Sequence, residues 1–490
     1  MESQHDIIRN RRSAKLAEKE PIYKLLDDSY RGGFAYKQGK HLKKYPREWS
    51  EVFKTREERA VYFNYLQPIV DILSGFIFKN EPDRKLPAEL EELKDKVFKR
   101  RGIEQGMHGI GINTLMYTMG VLVDSPKYDT NTIKSEADRK QAGLNPYACL
   151  YYPHQIRDFA INEDGKLIWV LLDDSRVEKS NPLQKEQVKK VFRLWTDKFY
   201  QDFEIKENAQ TKETEVIAGE ETPHPVGYVP FHFVNWRDVD DDHVSDSPME
   251  DVAILSEQIY NSLSLLDEQL HTGTFASLAM PVRKKEDVPD DVVKTGIYDV
   301  PVLTYDGTLS QSPAYIRPGL DTIDPFITAV KLYIYEIFRK IGMDVDRDKS
   351  YTQSGAAMGK EFQKTEALLR FGAESLQHCE DFIFRTMGRW LGKDYGDEIK
   401  ISYSKTFQVD DLDLKLKRLY DVFNLGLQEL QQLALEQIIR LVLPKADASR
   451  LSKETSGNAP DFTLNSSAAA QTLATMKEQL ANTQKEANNV

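Results

Sequence analysis

A chain of 490 residues with 40% hydrophobic side chains is long enough for several domains and for a real core. Its 66 basic and 78 acidic side chains leave a net charge of −12, which excludes a polycation that coats nucleic acid; any such contact is local or weak. Two cysteines, Cys149 and Cys379, exclude a disulfide framework, and no run approaches the ~20 apolar residues of a membrane span.

The first stretch, "MESQHDIIRNRRSAKLAEKEP", lacks the apolar core of a signal peptide. It reads as a modestly basic arm, either solvated and mobile or docked on a neighbouring chain. A helix is expected over 56–78, kinked or bounded at Pro68. A charged helix is expected over 89–99 and an apolar one over 102–117, followed by the short buried strand "GVLVDSP". After a polar insertion at 127–145 the period changes to two. "ACLYYPHQIRDFAI", "KLIWVLLDD", "KKVFRLWTDKFYQDFEI" and "TEVIAGEE" alternate like an antiparallel meander, with "NEDGK" as a turn. Helices around a β-rich block give an α+β pattern.

A helix opens at "SDSPMEDVAILSEQIYNSLSLLDEQL". Ser247 is a good N-cap, Pro248 suits the first helical position and Glu250 a capping box. Val252, Leu255, Ile259, Leu263, Leu266 and Leu270 recur every three or four residues as one apolar stripe. An irregular segment with five prolines follows. A second helix then carries Ile323, Ile327, Val330, Ile334, Ile337 and Ile341 as a heptad-like seam. "GMDVDRDKSYTQSG" breaks it. In the third long helix Phe362, Leu369, Leu376, Ile383 and Trp390 fall seven apart, as a spine. Beside them runs a row of small residues, Thr365, Gly372, Cys379 and Thr386, which lets another helix approach closely. "EIKISYSKTFQV" reads as a strand and "LDLKLKRLYDVFNLG" and "QELQQLALEQIIRLVLP" as helices. The remainder is polar and reads as a flexible tail.

Catalytic signatures are missing. "SGAAMGKE" is one residue short of a phosphate loop and has Glu361 where Ser or Thr belongs. "DVDRDK" from Asp344 lacks the glycine and the terminal Glu of a calcium loop. No zinc-binding spacing of His and Cys, and no nucleophile elbow, occurs. Asp238, Asp240, Asp241 and Asp242 form an acid cluster that is either a solvated loop or a divalent-ion site of a metal-dependent nuclease.

In order and spacing these parts resemble the portal proteins of tailed double-stranded DNA bacteriophages. The resemblance is carried by "YPREWSEVFKTREERAVYFNYLQPIVDILSGFIFKNEP", "TLMYTMGVLVDSP", "HPVGYVPFHFVNWRDVDDDHVSDSPMEDVAILSEQIYNSLSLLDEQLHTGTF" and "SGAAMGKEFQKTEALLRFGAESLQHCEDFIFRTMGRWLG", and it covers roughly 45–445. No single motif decides it. It implies an arm and β-rich wing at 1–246, a first stem helix at 247–271, a clip at 272–318 and a second stem helix at 319–343. A tunnel loop at 344–353, a long wing helix and strand at 354–410, a helical crown at 411–444 and the tail at 445–490 would follow.

The resemblance also implies function. Such a protein is a non-enzymatic ring, usually of twelve subunits, at one vertex of the virion capsid, assembled in the host cytoplasm. It needs no cofactor or metal. Double-stranded DNA passes through the ring; the partners are the terminase large subunit, the major capsid or scaffold protein, and a head–tail adaptor, with no membrane. The two apolar stripes then pack the stem, and Asp344, Asp346, Arg347, Asp348 and Lys349 face the DNA channel, unless they form an ordinary solvated loop. Another head–tail adaptor or a scaffold protein of the virion is the alternative.

Overall fold

The computed structural model describes residues 4–46, 48–126, 142–178, 187–207, 214–237, 243–274, 277–281, 303–305, 314–316, 323–342 and 355–407. The chain divides into two units, Met1–Gln408 and Val409–Val490, and every element below belongs to the first. The expected crown and tail lie outside the described residues. Helices and mainly antiparallel sheets make an α+β fold.

The expected loose arm is instead ordered structure. It forms α1 (Gln4–Asn10) and α2 (Ala14–Arg31). Leu16, Tyr23, Leu25 and Leu26 of α2 enter the main core, and Ile8 of α1 packs with Leu171, Phe192, Phe203 and Val216 on a sheet. The Ser13 N–H donates to the Arg157 carbonyl at 2.7 Å, and Arg11 lies 5.0 Å from the Trp169 ring centre. The many charges between these apolar residues hide their spacing in the sequence.

After α3 (Gly33–Gln38), the helix expected over 56–78 is two helices, α4 (Ser50–Arg59) and α5 (Leu66–Ile77). The break is at 60–65, ahead of Pro68. Pro68 sits in the first turn of α5, where a missing N–H breaks no helical bond. The extended break turns Tyr62 inward to stack on Tyr36 with ring centres 3.6 Å apart. Of the charged helix expected at 89–99 only α6 (Ala88–Glu91) and a short 3₁₀ turn form; Leu90 and Val97 are buried, and the chain reverses at Lys99. Helix α7 (Ile103–Thr114) follows.

Strand β1 (Asp83–Lys85) pairs with a late strand, Lys400–Ser402. Strand β2 (Met119–Asp124), buried along its length, lies between β3 (Tyr147–Tyr151) and Phe231–Val234. The meander comprises β4 (Ile156–Ile161), β5 (Leu167–Asp173), β6 (Arg176–Glu178), β7 (Gln187–Thr196), β8 (Phe199–Glu207), β9 (Thr214–Ala218) and β10 (Thr222–Pro223). Its main path runs β10-β8-β7-β5-β4. The "NEDGK" turn closes where the Asn162 side-chain Oδ1 accepts from the Asp164 and Lys166 N–H groups, at 3.1 and 2.8 Å. With β11 (Phe231–Val234) the small sheet is complete.

Helix α8 (Glu250–Thr274) starts after Ser247, whose hydroxyl accepts from the Met249 N–H at 3.0 Å. Strands β12 (Ser277–Pro281), β13 (Leu303–Tyr305) and β14 (Ala314–Ile316) form a small sheet, in order β13-β12-β14. Helices α9 (Ile323–Lys340) and α10 (Gly355–Trp390) and strand β15 (Lys400–Ser402) complete the unit.

At about 54 Å by its ~1.5 Å rise per residue, α10 is the longest element among the described residues. It packs on α5, α6, α7, β2, β11 and β15. Leu369, Leu376 and Ile383 are fully buried, and the Trp390 Nε1 donates to the Val123 carbonyl at 2.9 Å; Phe362 lies in this helix, its side chain outside the described residues. The small row receives large side chains from the chain after β10 where a second helix was expected. Trp236 lies against Gly372 and donates to the Leu368 carbonyl at 2.9 Å, and the Tyr228 and Thr386 hydroxyls are 2.8 Å apart.

Helix α8 is fixed to the N-terminal helices by polar bonds. Arg56 of α4, 1% exposed, donates through Nε and Nη2 to Glu48 at 2.7 and 2.8 Å. It also reaches the Ser264 hydroxyl and the Lys43 carbonyl, each at 2.7 Å. Asn261 of α8 accepts from the Lys43 N–H at 2.8 Å and donates to the His41 carbonyl at 3.2 Å.

Three outcomes follow. Alanine in place of a helix-interior glycine normally stabilises by up to ~1 kcal/mol, but a Cβ at Gly372 would lie 2.5 Å from the Trp236 ring. Overpacking costs ~1–3 kcal/mol, so Gly372→Ala lowers stability in urea unfolding; a gain would mean that Trp236 yields freely. Removing one partner of a buried ion pair costs ~3–5 kcal/mol, so Arg56→Met is strongly destabilising and Arg56→Lys less so. The hydrogen bonds from Arg56 hold the Glu48 carboxyl below its ordinary 4.5. A carboxylate depressed in the folded state stabilises above that value and loses the contribution as pH falls through the lowered one. The gap in thermal midpoint between the wild type and Glu48→Gln is therefore full above pH 4.5 and closes below it.

Candidate functional site: an antiparallel helix pair

Helices α8 and α9 pack along each other. They run antiparallel: Lys340, at the end of α9, pairs with Asp251, at the start of α8. Gly342 ends α9 in the left-handed region, φ 78, where a Cβ would meet the Lys364 Cβ at 2.7 Å and the Thr365 nitrogen at 2.9 Å. Glycine is required there by both conformation and space. The Thr365 hydroxyl takes up the Ile341 carbonyl at 2.9 Å, which ties the end of α9 to α10.

Burial along the two stripes is graded. At one end Val252 and Ile259 of α8 face inward, as do Val330, Ile337 and, just past α9, Ile341. Leu255, Leu263, Leu266, Ile323 and Ile334 are half-buried. At the other end Leu270 is 45% and Ile327 37% exposed. Ile254, 44% exposed, and Leu332, 56% exposed, lie outside both stripes.

Helix α8 also has a second buried face that periodicity missed. Ser256, Tyr260, Asn261 and Ser264 are buried there. The Tyr260 ring meets Tyr36 edge-on at 5.2 Å. The signal was present as small and amide side chains inside "SEQIYNSLS", which permit a close polar approach, but a search for apolar spacing passes over them.

A cavity of about 490 Å³ lies between β3 and the meander. At its wall Arg193 of β7 faces Asp202 at 2.6 Å, Asp174 at 3.4 Å and Asp124 at 3.6 Å. Tyr151 donates to Asp174 at 2.6 Å and Tyr147 to Asp124 at 3.1 Å. Burial raises the Asp124 carboxyl above its ordinary value despite Arg193, and raises the Cys149 thiol to about 11. Burial opposes the Arg193 charge, but the three carboxylates outweigh it and the guanidinium stays charged. Each of these carboxylates is engaged by Arg193, so the group is a clasp between the two sheets. These residues lie on strands far apart in sequence, which is why spacing did not reveal them.

The tunnel-loop residues Asp344, Asp346, Arg347, Asp348 and Lys349, and the cluster Asp238, Asp240, Asp241 and Asp242, lie outside the described residues. Among the described residues no group of three or more His, Cys, Asp or Glu is placed to hold a metal ion. Among them, too, no helix is long and apolar enough to cross a membrane.

No model of a known protein family matches the sequence, and no curated protein matches it. Among solved structures, a chain in the virion of a native gene transfer agent particle is similar at 12% identity with a TM-score of 0.41, over 82% of this chain and 88% of that chain. That likeness is too distant to assign a function.

Proposed function

We propose that the protein is a structural subunit of a phage-like virion and, more specifically, a portal subunit: one copy in a ring that lines a DNA channel at a capsid vertex. The observation that carries this reading is the antiparallel pair α8–α9. Its two helices are separated in sequence by 275–322, which contains the small sheet of β12, β13 and β14, and within the two stripes Leu270 and Ile327, toward that segment, are the most exposed.

In this reading α8 and α9 form the stem and the intervening segment the clip. Leu266, Leu270, Ile323 and Ile327 are covered by the stems of neighbouring subunits. A ring closes through heterologous contacts, in which one face of the subunit meets a different face of the next. The clip presents the surface for a terminase and, later, for a head–tail adaptor, while capsid or scaffold protein surrounds the wing. Asp344, Asp346 and Asp348, alternating with Arg347 and Lys349, line the channel. Mixed charge suits this role, because a strongly basic wall grips a duplex that carries one negative charge per ~1.7 Å.

Two measurements test it. Electron microscopy of the purified protein, alone and with its scaffold partner, is expected to give rings with a central channel; a closed dimer without a channel overturns the reading. Reversing Asp346 and Asp348 to Lys is expected to leave rings intact and to impair DNA packaging or retention. Normal packaging and retention would remove the loop from the channel.

A further inference from the structure

The geometry points to a second, sequence-independent contact for the phosphate backbone of duplex DNA, at the turn before α7. This turn carries Lys96, Lys99, Arg100 and Arg101, all exposed. Among the described residues none of the four is in an ion pair. The neighbouring acids Glu91 and Glu104 are already engaged, by Lys94 and by Arg84 at 3.4 Å, and Asp95 remains beside the turn. In a chain of net charge −12, this is a local concentration of positive charge, with Asp95 beside it and Lys99 at the rim of the cavity that Asp124, Asp174 and Asp202 line.

The turn is held rigidly. Phe98 and Arg101 exchange backbone hydrogen bonds at 3.0 and 3.3 Å. Val97 is fully buried and its carbonyl accepts from the Ala148 N–H at 2.7 Å. The Phe98 ring fills the space over Gly106, where a Cβ would come within 2.1 Å of it. Lys99 stands at φ 60, and its ammonium lies 4.1 Å from the centre of the Tyr147 ring. The backbone beneath the cations therefore needs little ordering on binding, which lowers the entropic cost of a contact.

The chemistry favours nucleic acid over an acidic peptide. Cationic side chains pair with phosphate oxygens through charge, and three successive cations on a tight turn suit neighbouring phosphates on one strand. Peptide recognition relies on apolar anchors as well as charge. The tip, Lys99-Arg100-Arg101, offers none, since Phe98 is turned in against α7. Contact through phosphates alone fixes position and reads no sequence.

The test is fluorescence anisotropy of a labelled mixed-sequence duplex with the full chain across a series of salt concentrations. Binding is expected in the weak range of non-specific contacts, ~10⁻⁴–10⁻⁶ M, with a log–log salt slope of about −2 to −3. Arg100→Glu with Arg101→Glu is expected to weaken binding at least ~10-fold at low salt and to reduce the slope by about 2. Arg100→Lys with Arg101→Lys keeps both within about twofold, since charge is conserved. A control of equal charge change at two exposed lysines outside the turn, Lys24→Glu with Lys54→Glu, keeps the slope. Equal affinity and slope for the Arg100/Arg101 reversal and the control overturn the proposal. So does polyglutamate binding at the turn in place of the duplex. This contact does not rest on the ring reading: rings are expected to form as in the wild type when Arg100 and Arg101 are reversed.

Discussion

The rest of the structure depends on how closely Trp236 approaches α10. Gly372 leaves room for an indole where any larger residue would strike it, and the Nε1 donor finds the Leu368 carbonyl at 2.9 Å. That contact places the end of the chain after β11 on the long helix. From there β11 and β2 follow, and through them the small sheet. The same helix α10 also meets α5, α7 and β15, so one helix sets the distance between the N-terminal helices and the strands. Packing at interior density transmits such a constraint, because a helix with no voids beside it has no freedom to shift.

Helix α8 is governed by a different balance. One of its faces is apolar and lies along α9; the other is lined by Ser256, Asn261 and Ser264. A buried polar face is costly unless every group finds a partner. Here Asn261 bonds at both ends of its amide, and Ser264 accepts from Arg56 while donating to the Asn261 carbonyl at 2.7 Å. Arg56 in turn is satisfied by Glu48 and a carbonyl. A network of this kind fixes register more sharply than apolar contact, since a slip of one residue would strand several donors at once.

The long helices, the meander and its turn were legible because period and cap chemistry act locally. Ser247 and Gly342 work as their types suggest, at the start of one helix and the end of another. What escaped was set by distant partners. Charges in α2 obscured an apolar spacing that only the core reveals. The helix over 56–78 breaks early because Tyr62 gains a stacked ring and a buried site, which local propensity does not register. The small row on α10 was legible as a place of close approach, but its occupant was not, because an indole from a strand end and a helix leave the same signature in the sequence. The clasp around Arg193 draws on β2, β7, β8 and the end of β5, a set that only strand pairing assembles.

The gradient of burial along α8 and α9 bears on how the chain divides its apolar surface between folding and association. Single exposed apolar residues are ordinary on a protein surface. Two stripes that are buried at one end and reach 45% exposure at Leu270 and 37% at Ile327 toward the other are less ordinary, since their apolar spacing continues where burial lessens. In the proposed ring a second chain would complete the partial burial of Leu266, Leu270, Ile323 and Ile327. The polar face of α8 is already closed by Arg56 and Asn261, so it has no need of such a partner. In the proposed ring the subunit would therefore meet its neighbours through the outer part of the helix pair, while the N-terminal layer keeps that pair in register.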